Sequence, residues 1–274
     1  MKYTVVTSFN EAGLKQYGQR MIDTFEQHWP AEVDLVVCAE HCQPRVSRTN
    51  TQVLDLVNLN SALVAFTERN KNNPRAHGLA GPPDVYDPRK TFRWHAQRFA
   101  YKVYSLALCE RFLSDWMIWL DADTHTHTAV PMSWLEQISP QDAMITYLGR
   151  GEKYHSECGW VGYNLANPAT RDFIHQFVAM YDQDRIFDEA EWHDSYIWDV
   201  VRKQYQANNT FFNLNPSWED KGLAGHPFIN SELGLYMDHV KGERKLQGMS
   251  RPKEVVMHQN HPYWQQVLRQ KGKK

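Results

Sequence analysis

Two aspartates separated by a single residue give the clearest chemical signal in this sequence. Asp121 and Asp123 follow directly on the apolar run WMIWL at 116–120. In an extended chain alternate side chains point to the same side, so the two carboxylates repel each other unless a cation lies beside them. Carboxylate oxygens favour Mg²⁺ or Mn²⁺, which complete their coordination with water and phosphate oxygens. The pattern therefore predicts a divalent metal site that faces a phosphorylated substrate.

Two interpretations compete with this metal site. Asp121 and Asp123 could simply cap a turn, as an isolated pair of this kind often does. His125 and His127 follow closely in the sequence, and two histidines beside acidic residues could instead make a zinc or iron site. A metallohydrolase built on these four side chains is therefore an alternative.

The elements around the aspartates indicate an α/β protein. The apolar run 116–120 predicts a strand in the middle of a sheet, and ligands of such sheets bind beyond the carboxyl ends of the strands. Other strands are predicted at 3–9, 33–39, 142–148, 160–164 and 211–214, and helices at 58–70, 168–182 and 192–206. The sequence therefore predicts one mostly parallel sheet flanked by helices.

Three further segments have clear patterns. After the first strand, apolar residues recur at helical steps and predict one buried helix face: Leu14, Tyr17, Met21, Ile22 and Phe25. From Thr91 an apolar stripe predicts a long helix that reaches Leu113. Between them, residues 71–90 contain four Pro and two Gly, which predicts a loop and a candidate mobile flap.

Composition excludes several classes of protein. The 274 residues carry 30 Lys plus Arg against 32 Asp plus Glu, a formal net charge of −2, so no global attraction to nucleic acid is expected. The basic tail, with Arg269, Lys271, Lys273 and Lys274, could touch a membrane at most peripherally. Four scattered cysteines do not make a disulfide framework, and no apolar run is long enough to span a bilayer. We therefore expect a cytoplasmic protein.

The order of several segments resembles nucleotide-sugar-dependent glycosyltransferases of the GT-A fold, a Rossmann-like architecture. The segments are TVVTSFN at 4–10, RFAYKVYSLAL at 98–108, WMIWLDADTHTHTAVP at 116–131, ECGWVGYN at 157–164, EWHDSYIWDV at 191–200 and DHVKGERK at 238–245. The resemblance spans nearly the whole chain and implies a single domain over 1–274. Its nucleotide-sugar-binding half would be 1–125, its acceptor and catalytic half 126–250, and its basic tail 265–274.

The resemblance implies how a donor would be bound. Asp121 and Asp123, with Ala122 between them, would hold Mn²⁺ or Mg²⁺ against the diphosphate of a nucleotide sugar, and His239 would be a third metal ligand. Metal and basic side chains would neutralise the charge of the departing nucleoside diphosphate. Lys241 and Arg244 would lie against the diphosphate, although solvated surface positions are an equal alternative.

Other residues would surround the nucleoside. The resemblance assigns them to the exit of the first strand, Thr7, Ser8 and Phe9, with Tyr17 as a possible stacking partner for the base. For Tyr17, a position in the protein core is the favoured interpretation. Arg98 and Lys102 share a helix face that could approach the phosphates or ribose, or could be ordinary surface charge.

The acceptor and the chemical step would use the third quarter of the chain. Gly159 permits close backbone approach, Trp160 could form an acceptor platform or pack in the core, and His193 would lie in the same region. Asp194, at the start of a helix, is the predicted catalytic residue, with simple helix capping as its alternative. The segment WHDS slightly favours retention of configuration.

The predicted function is therefore metal-dependent sugar transfer from a nucleoside diphosphate, with a UDP-sugar favoured. The acceptor would be a saccharide, a lipid-linked or another hydroxyl compound. A catalytically silent sugar- or nucleotide-binding module is a further alternative to transfer. A nucleotidyltransferase is less favoured, because residues 7–14, TSFNEAGL, lack a glycine-rich basic phosphate loop.

Overall fold

A computed structural model describes residues 1–151, 154–216 and 226–270 of the chain. The strands are β1 (Tyr3–Asn10), β2 (Asp34–Glu40), β3 (Thr51–Asp55), β4 (Trp116–Leu120), β5 (Thr124–Thr126), β6 (Ile145–Leu148), β7 (Glu157–Asn164), β8 (Phe211–Asn213) and β9 (Met237–His239). The α-helices are α1 (Glu11–Gly13), α2 (Gln19–His28), α3 (Leu56–Leu59), α4 (Ser61–Arg69), α5 (Ala96–Cys109), α6 (Met132–Ile138), α7 (Pro168–Asp182), α8 (Asp194–Tyr205), α9 (Arg244–Gln247) and α10 (Pro262–Arg269).

A seven-stranded sheet in the order β3-β2-β1-β4-β7-β6-β8 forms the centre of the molecule. Strands β3, β2, β1 and β4 pair in parallel, β7 is antiparallel to β4 and β6, and β8 is parallel to β6. The predicted fold class, a mostly parallel sheet flanked by helices, is confirmed. Strands β5 and β9 form a separate antiparallel pair beyond the end of β4.

Both faces of the sheet are covered, which explains why β4 is apolar throughout. Met117 and Trp119 point into the core under α4, α5, α7 and α8. Ile118 and Leu120 point into the opposite core, under α2, α6 and α10. All five side chains of the strand are buried, as expected for a central strand with helices on both sides.

The first helical region supports the carboxyl end of β1. Asn10 caps α1 by accepting a hydrogen bond from the backbone N–H of Gly13 at 2.9 Å. A π-helical segment, Leu14–Gly18, then joins α1 to α2 and carries Tyr17. The predicted apolar face is confirmed, since its members in α2 are buried and Leu14 and Tyr17 pack against them. Segments of π-helix are rare and often occur at functional sites.

The helix predicted from Thr91 to Leu113 is shorter than expected. Residues Pro88–Trp94 form a 3₁₀ helix in which Phe92 is 54% exposed, and α5 begins only at Ala96. The break has a local cause, because His95 has non-helical backbone angles and caps α5 by accepting from the N–H of Arg98. Residues 71–87 form turns and loop, as predicted, while the mobility of this segment stays a prediction.

In the described part of the chain, no helix combines the length and apolar character needed to cross a bilayer. The predicted basic tail is described only as far as Gln270. Its remaining lysines, Lys271, Lys273 and Lys274, lie outside the described residues.

Candidate active site

A cavity lies at the carboxyl ends of the parallel strands β1, β2 and β4, where the sequence places the site. Several predicted residues line it: Ser8, Phe9, Tyr17, Arg98, Lys102, Asp121, Ala122, Asp123 and Asp194. Other lining residues were not predicted: Asn10, Glu40, Phe99, Tyr101, Trp119 and Lys245. Thr7, in β1, is fully buried and does not line the cavity.

Asp121, Asp123 and His239 come together at one end of the cavity. Nε2 of His239 lies 2.9 Å from Oδ1 of Asp123 and 3.6 Å from Oδ2 of Asp121. Pairing of β5 with β9 brings them together, because it sets His239 opposite Thr124 in the register. The ligand atoms of the three residues all lie within 4.8 Å of one another.

The donor set fits a divalent metal ion. Two carboxylates and one imidazole suit Mn²⁺, and Mg²⁺ would also accept the carboxylate oxygens. The pocket for the imidazole is shaped by a glycine: a Cβ on Gly159 would stand 2.4 Å from Cε1 of His239. Glu157 adds a carboxylate 3.9 Å from Nδ1 of His239, the kind of outer partner that orients metal-binding histidines. These residues could therefore hold a metal.

Positive charge compensates the acidic cluster. Nζ of Lys245 lies 3.0 Å from Oδ2 of Asp123 and 4.4 Å from the ring centre of Tyr17. Burial alone would raise the pKa of Asp123, but His239 and Lys245 hold that pKa well below its usual value. Asp123 is therefore an anion whether or not a metal is bound.

Lys102 joins the metal end of the cavity to α8. Its Nζ donates to Oδ1 of Asp121 at 3.1 Å, to Oδ2 of Asp194 at 2.7 Å and to the carbonyl of Cys158 at 2.5 Å. Burial would lower the pKa of Lys102, but the carboxylates of Asp121 and Asp194 raise it above the ordinary value. The lysine is a permanent cation here.

The same ion pair affects the pKa of Asp194. Burial would raise the pKa of this carboxyl, but the attraction of Lys102 lowers it below its ordinary value. A buried carboxylate that is already paired with an ammonium group is a poor proton acceptor. The structure places Asp194 on the cavity wall in an ion pair with Lys102, and its catalytic role stays a prediction.

The cavity is also lined by a half-buried acid, Glu40. Glu40 ends β2, and burial raises its pKa to about 7, while a hydrogen bond from Ser8 opposes the rise. An adjoining cavity shares Glu40 and Tyr101 and extends to His77 in the predicted flap. The segment 71–90 thus contributes to the rim of the site.

Two predicted phosphate-binding residues point elsewhere. Lys241 pairs with the carboxylate of Glu157, and Arg244 makes a two-pronged contact with Glu254. Neither lines the cavity, because each is already held by a carboxylate outside it. Lys245, in the same segment, lines the cavity instead. The sequence spacing from His239 does not distinguish Lys245 from Lys241 and Arg244.

The predicted acceptor residues have different outcomes. Trp160 is fully buried and packs on Trp29 and Trp134, with ring centres 6.2 and 6.1 Å away, so it is not an acceptor platform. Gly159 lies against His239. His193 lies just outside the cavity, 6.0 Å from the lining residue Phe99 between ring centres.

His125 and His127 do not join the aspartates. Nε2 of His125 is 3.0 Å from the hydroxyl of Tyr263, and His127 stacks on the same ring with centres 3.8 Å apart. Both imidazoles pack against Tyr263 in the first turn of α10. The alternative metallohydrolase therefore loses two of its four expected ligands.

No protein-family model and no curated protein matches the chain. Similar solved structures include mouse xyloside xylosyltransferase 1 in its apo form, with a TM-score of 0.48, 11% identity, and coverage of 80% of this chain and 87% of that one. The glycosyltransferase GlyE of Streptococcus pneumoniae TIGR4 has a TM-score of 0.44 and 12% identity, and the match covers 82% of this chain and 49% of GlyE. The bifunctional glycosyltransferase WbbM has a TM-score of 0.49 and 13% identity, and the match covers 98% of this chain and 51% of WbbM. This chain thus spans about half the length of GlyE and WbbM.

Proposed function

We propose that this protein is a metal-dependent glycosyltransferase, which moves a sugar from a nucleoside diphosphate to a hydroxyl acceptor. One observation carries the proposal: Asp121, Asp123 and His239 form a metal-binding set beside two lysines, at the end of a cavity with an aromatic side chain on its wall. That combination provides for a cation, a diphosphate and a nucleoside in one place.

The residues of the proposed donor site have separate roles. The three metal ligands would hold an ion that neutralises negative charge on the leaving diphosphate. Lys245 contributes a second positive charge between Asp123 and Tyr17. Lys102 fixes Asp121 in place, and the indole N–H of Trp119 donates to the same carboxylate at 2.6 Å. The site is therefore organised before substrate arrives.

The nucleoside would occupy the part of the cavity lined by Tyr17 and by the last residues of β1. Ser8, Phe9 and Asn10 leave β1 there, and Tyr17 offers a ring for stacking against the base. Glu40 lies among these residues and can hydrogen-bond hydroxyl or N–H groups of a nucleoside. We propose a UDP-sugar as donor, retention at the sugar carbon, and a saccharide, lipid-linked or other hydroxyl acceptor.

Further expectations belong to the same proposal. The division into a nucleotide-sugar half and an acceptor half stays a prediction, as does the cytoplasmic location. The cysteines at 38, 42, 109 and 158 are free and buried, which accords with a reducing compartment.

A thermal-shift screen of UDP, GDP, CDP and their sugars, with and without Mn²⁺, tests the proposal. A ligand at a hundredfold excess over its dissociation constant stabilises the folded state by about 2.7 kcal/mol. We expect one nucleotide to give a shift that depends on Mn²⁺. Release of nucleoside diphosphate from the matching sugar then separates an enzyme from a silent binding module.

Matched variants test whether Asp121 and Asp123 cause the Mn²⁺-dependent thermal shift. Asp121→Asn and Asp123→Asn should lose the Mn²⁺-dependent part of the shift, because each removes an anionic ligand. Asp142→Asn changes an exposed aspartate elsewhere and should keep it. A full Mn²⁺-dependent shift in both site variants would contradict the proposed metal site.

A further inference from the structure

We infer that His193, held by Glu191, is the base that accepts the proton of the acceptor hydroxyl. This inference rests on the proposed sugar transfer and adds a residue to it. His193 precedes α8 and is adjacent in sequence to Asp194, which lines the cavity. Its side chain is 12% exposed, so part of the imidazole remains open to a substrate.

Glu191 is fixed by three basic side chains. Nε of Arg93 donates to Oε2 of Glu191 at 2.7 Å, and the same guanidinium also contacts Oε1. Nε2 of His193 lies 3.0 Å from Oε2, and Nε2 of His155 lies 3.6 Å from Oε1. The carboxylate therefore has a defined orientation, which it passes on to the imidazole of His193.

The charge of Glu191 determines which nitrogen of His193 carries the proton. Burial would raise the pKa of Glu191, but contacts with His155, His193 and Arg93 hold that pKa well below its usual value. An anionic carboxylate accepts a hydrogen bond from Nε2–H of the neutral imidazole. Nδ1 is then unprotonated, and it has no hydrogen-bond partner among the described residues. It can accept a proton.

The position of His193 suits an acceptor. Its ring centre lies 6.0 Å from Phe99, which lines the donor cavity, and 6.4 Å from Tyr196. The ring centre of His155 lies 5.4 Å from that of His193. Aromatic rings next to a hydrogen-bonding group form a surface on which a sugar can lie. The acceptor would therefore approach along these rings.

The neighbouring acids are less suitable as bases. Asp194 is buried in an ion pair with Lys102, and Asp121 shares that lysine. Asp123 is paired with Lys245 and His239. A base should have a pKa near the working pH and a free acceptor atom. The imidazole of His193 offers such a free acceptor atom at Nδ1, because Nε2 is the nitrogen that contacts Glu191.

The proposed step is balanced as follows. The acceptor O–H bond breaks and its proton moves to Nδ1 of His193. The acceptor oxygen bonds to the sugar carbon on the same face from which the diphosphate oxygen departs, as the bond from that carbon to the diphosphate oxygen breaks, so the configuration of the sugar is retained. The departing oxygen keeps the electron pair and leaves as nucleoside diphosphate, beside Lys245. His193 later returns its proton to solvent.

Turnover of the donor identified in the screen tests this role, with release of nucleoside diphosphate in the presence of Mn²⁺ as the readout. His193→Ala should keep the nucleotide-dependent thermal shift but release product at least about 100-fold more slowly, as is usual for loss of a general base. Added imidazole should restore part of the rate. His193→Gln, which can still hydrogen-bond Glu191, should be equally slow without restoration, and His175→Ala, at an exposed position, should match the wild type.

The outcomes separate the two proposals. No turnover by the wild-type protein overturns the proposed function, and this step with it. Wild-type turnover together with a fully active His193→Ala protein overturns the role of His193 alone. A slow His193→Ala protein that imidazole does not restore would make His193 a positioning residue, which also overturns the inference.

A measurement without turnover examines the histidine directly. Nitrogen NMR of the intact protein should show neutral His193 with its proton on Nε2, and Glu191→Gln should alter that signal. A proton on Nδ1 would overturn the assignment. His155, Glu191 and His193 also offer ligand atoms within 4.8 Å of one another. Zinc retained by the wild type and lost in both His155→Ala and His193→Ala would mean a metal site and overturn the base.

Discussion

At the scale of single residues, the site separates charges that the sequence places side by side. Lys241, Arg244 and Lys245 all follow His239 within one short segment. Only Lys245 turns to the acidic cluster, where Asp123 lies 3.0 Å away. Lys241 and Arg244 are neutralised by Glu157 and Glu254. Which lysine faces the acidic cluster is thus decided by the carboxylate that each one contacts.

Replacing these lysines should have unequal effects on nucleotide binding. Lys245→Met should weaken binding of the nucleoside diphosphate with Mn²⁺ by about 1.5–3 kcal/mol, the usual value of a hydrogen bond to a charged group. Lys241→Met is the matched control and should change affinity much less, since Lys241 does not line the cavity. Isothermal titration calorimetry measures both. A larger loss in Lys241→Met would mean that the side chains rearrange around the ligand.

At the scale of elements, β7 and β9 approach closely beside the three proposed metal ligands. Gly159 on β7 lies against the imidazole that β9 supplies, and Asp121 donates its backbone N–H to the Gly159 carbonyl at 2.9 Å. The glycine therefore serves both the strand pairing and the position of His239. A side chain at position 159 would collide with the imidazole of His239.

Gly159→Ala should weaken Mn²⁺ binding by displacing His239, because the added Cβ would stand 2.4 Å from its Cε1. Gly162→Ala on the same strand is a matched control: its Cβ would meet Oγ1 of Thr146 at the same 2.4 Å, away from the metal ligands. Both variants should lose stability in denaturant, but only Gly159→Ala should lose Mn²⁺ affinity in calorimetry. Equal Mn²⁺ affinity in the two variants would argue against His239 as a ligand.

At the scale of the whole molecule, buried histidines link stability to pH. Burial, together with the charges of His261 and His28, lowers the pKa of His127 to about 3. Its ordinary pKa is about 6.5. Because the folded value lies below the unfolded one, the neutral form stabilises the fold above pH 6.5, and this contribution is lost as the pH falls toward 3.

His127→Phe should therefore reduce the acid sensitivity of the fold. The ring can still stack on Tyr263, while the proton uptake disappears, which removes about 2 kcal/mol of the stability loss between pH 7 and pH 5. Denaturant unfolding at both pH values measures the difference. His41→Asn, at an exposed position, should follow the wild type. If His127→Phe followed it too, other groups would control acid unfolding.

Local patterns in the sequence were sufficient for much of the fold. The strand at 116–120 and the helix at 168–182 match the structure at both ends, because a continuous apolar run and a capped amphipathic stretch are properties of neighbouring residues. The position of Asp121 and Asp123 at the end of a central strand follows from the same information. The prediction of a helix from Thr91 was wrong at its start, because residues up to Trp94 form a 3₁₀ segment that is not continuous with α5.

Only tertiary structure decided which distant residues share the site. His239 reaches Asp123 because β9 pairs with β5, and Trp160 is lost as an acceptor platform because Trp29 and Trp134 close over it. Glu157 pairs with Lys241 and Asp123 pairs with Lys245, so two lysines of one segment have different partners. The sequence by itself therefore determined the sheet and the paired acids, since these depend on neighbours along the chain. The partners of each charge depend on which carboxylate lies nearest in space, and folding alone sets that distance.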